Sequence, residues 1–292
     1  MRNVVGNARV NYQEHAVPGS LRTHVAAVWR LADEAPAGTV QTIYPDGHCE
    51  LIVHFGAPPD CWDERTGWHA QARTLFAGQR LSAVRLRSSA ALDCLGLRLQ
   101  PEASGLAGAD TLRNSRERIV DLAGVDPALS AALASAARSF VDGDASPLWR
   151  LLGERIRAVP LDATVAAAVA ELRDTGGQQR IERLRRNGLS LRSLQTRFRR
   201  AVGLTPKEFG RVMRLQATLR ALDSGDASLS DVAADAGFAD QAHVTRELRR
   251  VTGLAPARLR SALRADRDGD AAVRLAAAFV RNGARRRGQV VA

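Results

Sequence analysis

Apolar residues recur along this chain at two different periods, and the change comes near residue 125. Between 40 and 100 they gather in short runs rich in β-branched and aromatic side chains, at 40–44, 51–55, 75–77, 84–86 and 95–99. Pro45, Asp46 and Gly47 form a turn signal between the first two runs, Gly78 follows the third, and Pro101 stops the last. Short strands at such spacing predict a small barrel or sandwich. The stretches 20–35 and 111–123 read as helix or mixed structure.

From Pro127 the period becomes helical. Leu129, Leu133, Ala136 and Phe140 share one face, and Leu148, Leu151, Leu152, Ile156 and Val159 form a second stripe. These two helices either complete the N-terminal core or pair with their twins in a dimer. After 160 the whole chain reads as helix. Asp162 caps a helix bearing Leu161, Val165, Ala168 and Leu172. Ile181 and Leu184 make a short one, and Ser190 caps the next, with Leu194, Phe198 and Val202 inward up to Gly203. Thr205, Pro206 and Glu208 are a strong start signal for a helix carrying Phe209, Val212, Leu215, Leu219 and Leu222. Ser228 opens another, with Leu229, Val232, Ala233 and Ala236 inward, and Asp240 caps one that ends at Gly253. A last short helix spans 256–263.

Within this helical half one block occurs twice, fifty residues apart. Leu194, Phe198, Arg199, Arg200, Gly203 and Pro206 return in register as Val244, Leu248, Arg249, Arg250, Gly253 and Pro256. Helix, tight glycine turn, helix is the helix-turn-helix plan, at about 180–202 and again at about 229–252. The joining helix of some 17 residues is roughly 25 Å long. A strut of that length holds two reading helices about one DNA turn, roughly 34 Å, apart.

Charge follows the repeat. The 292 residues carry a net charge of +11. Residues 1–160 hold 17 basic and 17 acidic side chains, 161–262 hold 18 and 11, and the remainder 7 and 3. A basic half beside a neutral half fits a polyanion-binding domain joined to another domain. Cys49, Cys61 and Cys94 form no metal-finger spacing and read as reduced thiols. No apolar run approaches the roughly 20 residues of a membrane span, and residues 1–12 have no signal-peptide core. The expectation is a cytoplasmic protein without a membrane partner.

Residues 161–262 resemble the DNA-binding domain of the AraC/XylS family of transcription regulators. The second unit carries the resemblance through Leu229, Val232, Ala233, Ala236, Gly237, Phe238, Asp240, Val244, Arg246, Leu248, Arg249, Gly253 and Pro256. The stretch 44–52 resembles sensor domains of some members. The resemblance implies an α+β protein of two domains. A mostly-β N-terminal sensor with helices, a cupin-like barrel or sandwich, spans 1–125. Linking helices occupy 126–160, an all-α domain of two helix-turn-helix units 161–262, and a basic tail 263–292. It implies promoter DNA, a small-molecule effector, RNA polymerase and a second copy as partners, with activation or repression left open.

Carried onto this chain, the reading helices present Arg192, Gln195 and Thr196, then Gln241, Ala242, His243, Thr245 and Arg246. Arginine pairs bidentately with guanine and glutamine with adenine. Arg199 serves the first reading helix or, with Arg200, Arg211, Arg214, Arg249 and Arg250, holds phosphates. The first unit departs from the pattern: Arg185 stands where the second has Ala233, and Arg197 occupies a position normally apolar.

His48, Glu50 and His54 share a strand face, because their spacings are even. Two histidines and a carboxylate are a donor set for iron or zinc, but the paired-histidine pattern of cupin metal sites is absent. The expectation is no metal, no cofactor and no catalysis. The rivals are a cupin-like metal-dependent enzyme with an attached basic domain, and a DNA-binding protein that senses no ligand.

Overall fold

Backbone that is apolar on both faces forms the wider of two antiparallel sheets. In the computed structural model, which describes residues 10–33, 37–184, 188–224 and 227–267, this sheet has the order β1-β2-β9-β4-β7-β10. Its strands are β1 (Val10–His15), β2 (Val25–Asp33), β4 (Glu50–His54), β7 (Thr74–Ala77), β9 (Leu92–Leu99) and β10 (Ile119–Asp121). A smaller sheet, β3-β8-β5-β6, pairs β3 (Val40–Ile43), β8 (Val84–Arg87), β5 (Asp60–Asp63) and β6 (Gly67–Ala70). Leu51 and Val53 point to the back of the wide sheet, and Glu50, Ile52 and His54 point forward, toward the small sheet.

The back of the wide sheet is closed by helices. After α1 (Ala109–Asn114) and α2 (Leu122–Val125) come α3 (Pro127–Val141) and α4 (Ser146–Ala158). Leu129, Leu133, Leu148 and Leu152 are buried in one cluster with Leu51, Phe76, Leu95 and Leu97. Both stripes of the linking helices are thus used to complete the N-terminal core.

Within the stretch 20–35, expected to be helical or mixed, Val25–Asp33 form the strand β2. Trp29 and Leu31 face the cavity between the sheets, while Val25 and Val28 join the helix-covered core. A strand covered on both faces loses the polar alternation that marks a strand in sequence.

The C-terminal helices are α5 (Ala163–Asp174), α6 (Leu191–Val202), α7 (Pro206–Ser224), α8 (Leu229–Asp235), α9 (Gln241–Thr252) and α10 (Pro256–Arg267), with a 3-10 turn at Ile181–Leu184. Their caps are those read from sequence. Asp162, Ser190 and Asp240 accept from backbone N–H groups of the first turn, and Ser228 with Asp231 closes a capping box. Thr205 and Glu208 exchange the same bonds at the start of α7. Gly203 and Gly253 end α6 and α9 in the left-handed region, at φ 87° and 73°.

Two cores result. Val165, Leu172, Leu194, Phe198 and Phe209 form the first, and Leu215, Leu219, Val232, Val244, Leu248 and Leu259 the second. The strut α7 has 19 residues, roughly 28 Å at the helical rise, and supplies side chains to both.

Two expectations are corrected. Leu161, placed on the stripe of α5, packs against the N-terminal core, because it precedes the Asp162 cap. The expected tail from 263 begins as helix, since α10 runs to Arg267 and Leu263 is fully buried. The expectations for Arg185, residues 1–9 and the tail beyond 267 lie outside the described residues.

Candidate nucleic-acid interface

The amphipathic reading helices α6 and α9 bury one narrow stripe each and leave the rest of their surface outward. Arg192, Gln195, Thr196, Arg199 and Arg200 are exposed on α6, as are Gln241, Ala242, Arg246, Arg249 and Arg250 on α9. His243 and Thr245 are half-buried. The edge of the His243 ring meets Phe238 at a centroid distance of 5.2 Å, so packing fixes its direction. Thr196 Oγ1 donates to Arg192 O (3.0 Å), and Thr245 Oγ1 to Gln241 O (2.9 Å). With their protons used inside the helix, these hydroxyls have acceptor lone pairs and a methyl group for a groove.

The arginines assigned to phosphates divide into two groups. Arg199, Arg200 and Arg249 are exposed. Arg211 and Arg250 both reach Glu247, at 3.2 and 2.8 Å. The two N–H···O bonds from Arg250 lead the influences that hold the Glu247 carboxyl below its ordinary range. Arg214 is half-buried, donates to Gly177 O (3.2 Å) and lies over the Phe238 ring. Glu247 therefore ties α9 to α7 and offsets two of the cations there. Its pairing with Arg250 is local, three residues along α9, but sequence reading missed the tie to Arg211, 36 residues away on another helix. Arg197 sits at its unusual position by pairing with Asp162 at 2.6 Å.

A second feature joins the two halves. The turn between β3 and β4 enters between the two helical cores. Tyr44 belongs to the second core, Pro45 O accepts from Gln216 Nε2 at 2.6 Å, and Gly47 faces Phe209 and Met213 of the first core. Further on, Ala83 N–H donates to Val251 O at 3.0 Å, and Arg116 pairs with Glu208.

Residues 44–48 also line a cavity of about 130 Å³ between the sheets. Its walls include Leu31, Ile43, Ile52, Leu75, Val84 and Leu86, with Trp29, Glu50 and His54. One seam of this turn meets the cavity and the other meets the strut.

His48, Glu50 and His54 all face this cavity, as their even spacing required, but both ring nitrogens of His48 and one carboxylate oxygen of Glu50, Oε1, are engaged. Leu99 O contacts His48 Nδ1 at 2.7 Å and Arg173 contacts Nε2 at 3.1 Å. A carbonyl only accepts and a guanidinium only donates, which fixes the tautomer and uses both nitrogens. Burial, the dominant cause, brings the His48 pKa down to about 3. Glu50 accepts from Trp29 Nε1 (3.2 Å) and Arg98 Nε (3.0 Å). Among the described residues no three His, Cys, Asp or Glu are grouped to hold a metal ion. The three cysteines are free and buried, and burial pushes the Cys49 and Cys94 thiols up to about 12. Among the described residues no helix is long and apolar enough to cross a membrane.

A family profile described as a helix-turn-helix domain matches residues 184–262, and one described as a domain of unknown function (DUF6597) matches 13–116. No curated protein matches the chain by sequence. Among solved structures, ToxT from Vibrio cholerae is similar at 12% identity, over 86% of this chain and 98% of that one, with a TM-score of 0.42. ToxT bound to (E)-4-(8-methylnaphthalen-1-yl)but-3-enoic acid gives 12% identity, coverage of 86% and 99%, and a TM-score of 0.41. ToxT bound to an unsaturated fatty acid gives 10%, coverage of 89% and 97%, and 0.38. Residues 184–262 are thus a helix-turn-helix domain, joined in this chain to a β-rich N-terminal domain.

Proposed function

We propose that this chain is a cytoplasmic transcription regulator that reads promoter DNA with α6 and α9 and senses a small molecule between its sheets. The observation that carries the reading is the turn 44–48, which is at once a wall of the cavity and the piece docked on the strut. A ligand that moves this turn changes what α7 leans on, and α7 holds both reading units. The cavity, apolar with a few polar groups, favours a sensor over a domain that binds no ligand. The engaged ring nitrogens of His48, with Glu50 Oε1 held by Arg98 and Trp29, favour a sensor over a metal enzyme. RNA polymerase and a second copy of the chain are the further partners of this reading.

Arg192, Gln195, Thr196, Gln241, Ala242, His243, Thr245 and Arg246 are the proposed base readers. Selection from a pool of random duplexes at physiological salt should enrich two boxes about one helical turn apart. Binding with no enriched sequence would leave a non-specific basic protein. Arg246→Ala should cost about 1–3 kcal/mol and relax the choice at one base position, whereas Arg249→Ala should weaken all sequences alike.

Arg211 and Arg250 are proposed to move from Glu247 to phosphates on DNA. Arg211→Ala and Arg250→Ala should then each weaken binding to every duplex and flatten the salt dependence of log K by about one. Anisotropy titrations at several salt concentrations read that slope, and an unchanged slope in either variant would remove that residue from the phosphate set.

A further inference from the structure

We infer that the cavity between the sheets takes a compact, uncharged molecule about the size of one ring that carries a hydroxyl, and that His54 reads that hydroxyl. The inference rests on the sensor reading above and adds the ligand's chemistry. Size comes first. The cavity measures about 130 Å³, and an apolar protein cavity of about 150 Å³ accommodates benzene. Leu31, Ile43, Ile52, Leu75, Val84 and Leu86 supply apolar walls from both sheets. A ligand of that size loses its hydration and regains contact on every side.

Polarity comes next. Glu50 is held by Arg98 and Trp29, and His48 by Leu99 O and Arg173. His54 differs. Its residue is 7% exposed, and neither ring nitrogen has a partner of hydrogen-bond geometry. Gln71 lies near enough to support the charged ring a little, but burial prevails and brings the pKa down to about 4. At neutral pH the ring is therefore an uncharged imidazole with one N–H and one lone pair, neither met by a protein group of hydrogen-bond geometry. Leaving such groups unmet is unfavourable. A hydroxyl donates and accepts, so it satisfies whichever nitrogen faces it. A carboxylate only accepts, so His54 could offer it one N–H at most, and its charge would have to be met by Arg80, whose Nε is buried without a partner. Arg80 also lines the cavity, with NH1 donating to Glu117 O at 2.8 Å. Capture of an anion there is the rival outcome.

The test uses the full chain and three probes of one ring: phenol, toluene and benzoate, titrated calorimetrically at neutral pH. Phenol should bind at least about tenfold more tightly than toluene, as a buried hydrogen bond allows, with benzoate weakest. In His54→Leu, toluene should bind as before and the advantage of phenol should vanish, with a thermal melt confirming the fold. Benzoate binding tightest, phenol keeping its advantage without His54, or no saturable binding of phenol to the wild-type chain would each overturn the inference. Duplex binding measured with each probe separates this inference from the reading beneath it. Phenol that binds through His54 without changing DNA affinity leaves the ligand class standing and sinks the sensor. A DNA response to benzoate alone keeps the sensor and sinks the ligand class.

Discussion

Arg98→Met should be among the most damaging single changes in the N-terminal domain, costing about 3–5 kcal/mol, because it takes the buried cation away from the half-buried Glu50 and Asp46 carboxylates. Arg98 is 6% exposed. Its guanidinium lies 3.0 Å from Glu50, 3.7 Å from Glu14 and 3.8 Å from Asp46. Methionine fills similar volume, so packing is roughly kept and the loss is electrostatic. The penalty should depend on pH, and its sign follows from Glu50. Burial already raises the pKa of that carboxyl above its ordinary value, with Arg98 opposing. An acid whose folded pKa is raised favours the fold at low pH, and the advantage disappears as pH rises through the folded value. Removing Arg98 moves Glu50 further the same way. The deficit of the variant should be largest near about pH 8 and smaller near about pH 5. Urea melts of both proteins at the two pH values measure it, and an equal deficit at both would show that Glu50 keeps its charge without Arg98.

The two halves of the chain were legible for different reasons. Caps and stops are local chemistry, so Asp162, Ser190, Ser228 and Asp240 mark their helices in sequence as in structure. The inward stripe of α9, Val244 and Leu248, is a period-3.6 signal that burial confirms. The short strands at one end of the small sheet carry no such signal: β5 is DCWD and the edge strand β6 is GWHA, held by pairing across a short turn and by an edge-to-face contact of Trp62 with Trp68. In β2 burial on both faces erased the alternation. The reading helices could be placed because exposure is the complement of the stripe. The pairing of Glu247 with Arg211, the bond from Gln216 to Pro45 and the packing of Tyr44 on the second core could not be placed. The first joins two helices of the C-terminal domain far apart in sequence, and the other two join elements that approach only when the two domains meet.

That meeting is most exposed to test at Gly47. Gly47→Ala should uncouple the N-terminal domain from the strut, at about 2–4 kcal/mol. The residue has φ 82°, a left-handed conformation, which costs about 1–2 kcal/mol for any residue with a Cβ. The new Cβ would also stand 2.5 Å from Met213 Cε and 3.0 Å from Phe209 Cε2, and overpacking of this kind costs about 1–3 kcal/mol. Met213 has a flexible tip, but Phe209 is fully buried against Phe198 and has nowhere to turn. The easier relief is for the turn to lift off α7, giving up the Gln216 bond to Pro45 O and the packing of Tyr44. The reading surfaces of α6 and α9 lie elsewhere, so the sequence selected from random duplexes should stay the same. What should be lost is thermal stability, by several degrees, together with any response of DNA affinity to a ligand in the cavity. Adding Met213→Ala to the variant makes room for the Cβ and should restore part of the stability, since only the steric share is removed. Gln216→Ala, which deletes the bond without strain, should weaken the response in the same direction. A Gly47→Ala protein that melts like the parent and still responds to ligand would mean that the turn does not carry the signal, and the route between cavity and strut would have to be sought elsewhere.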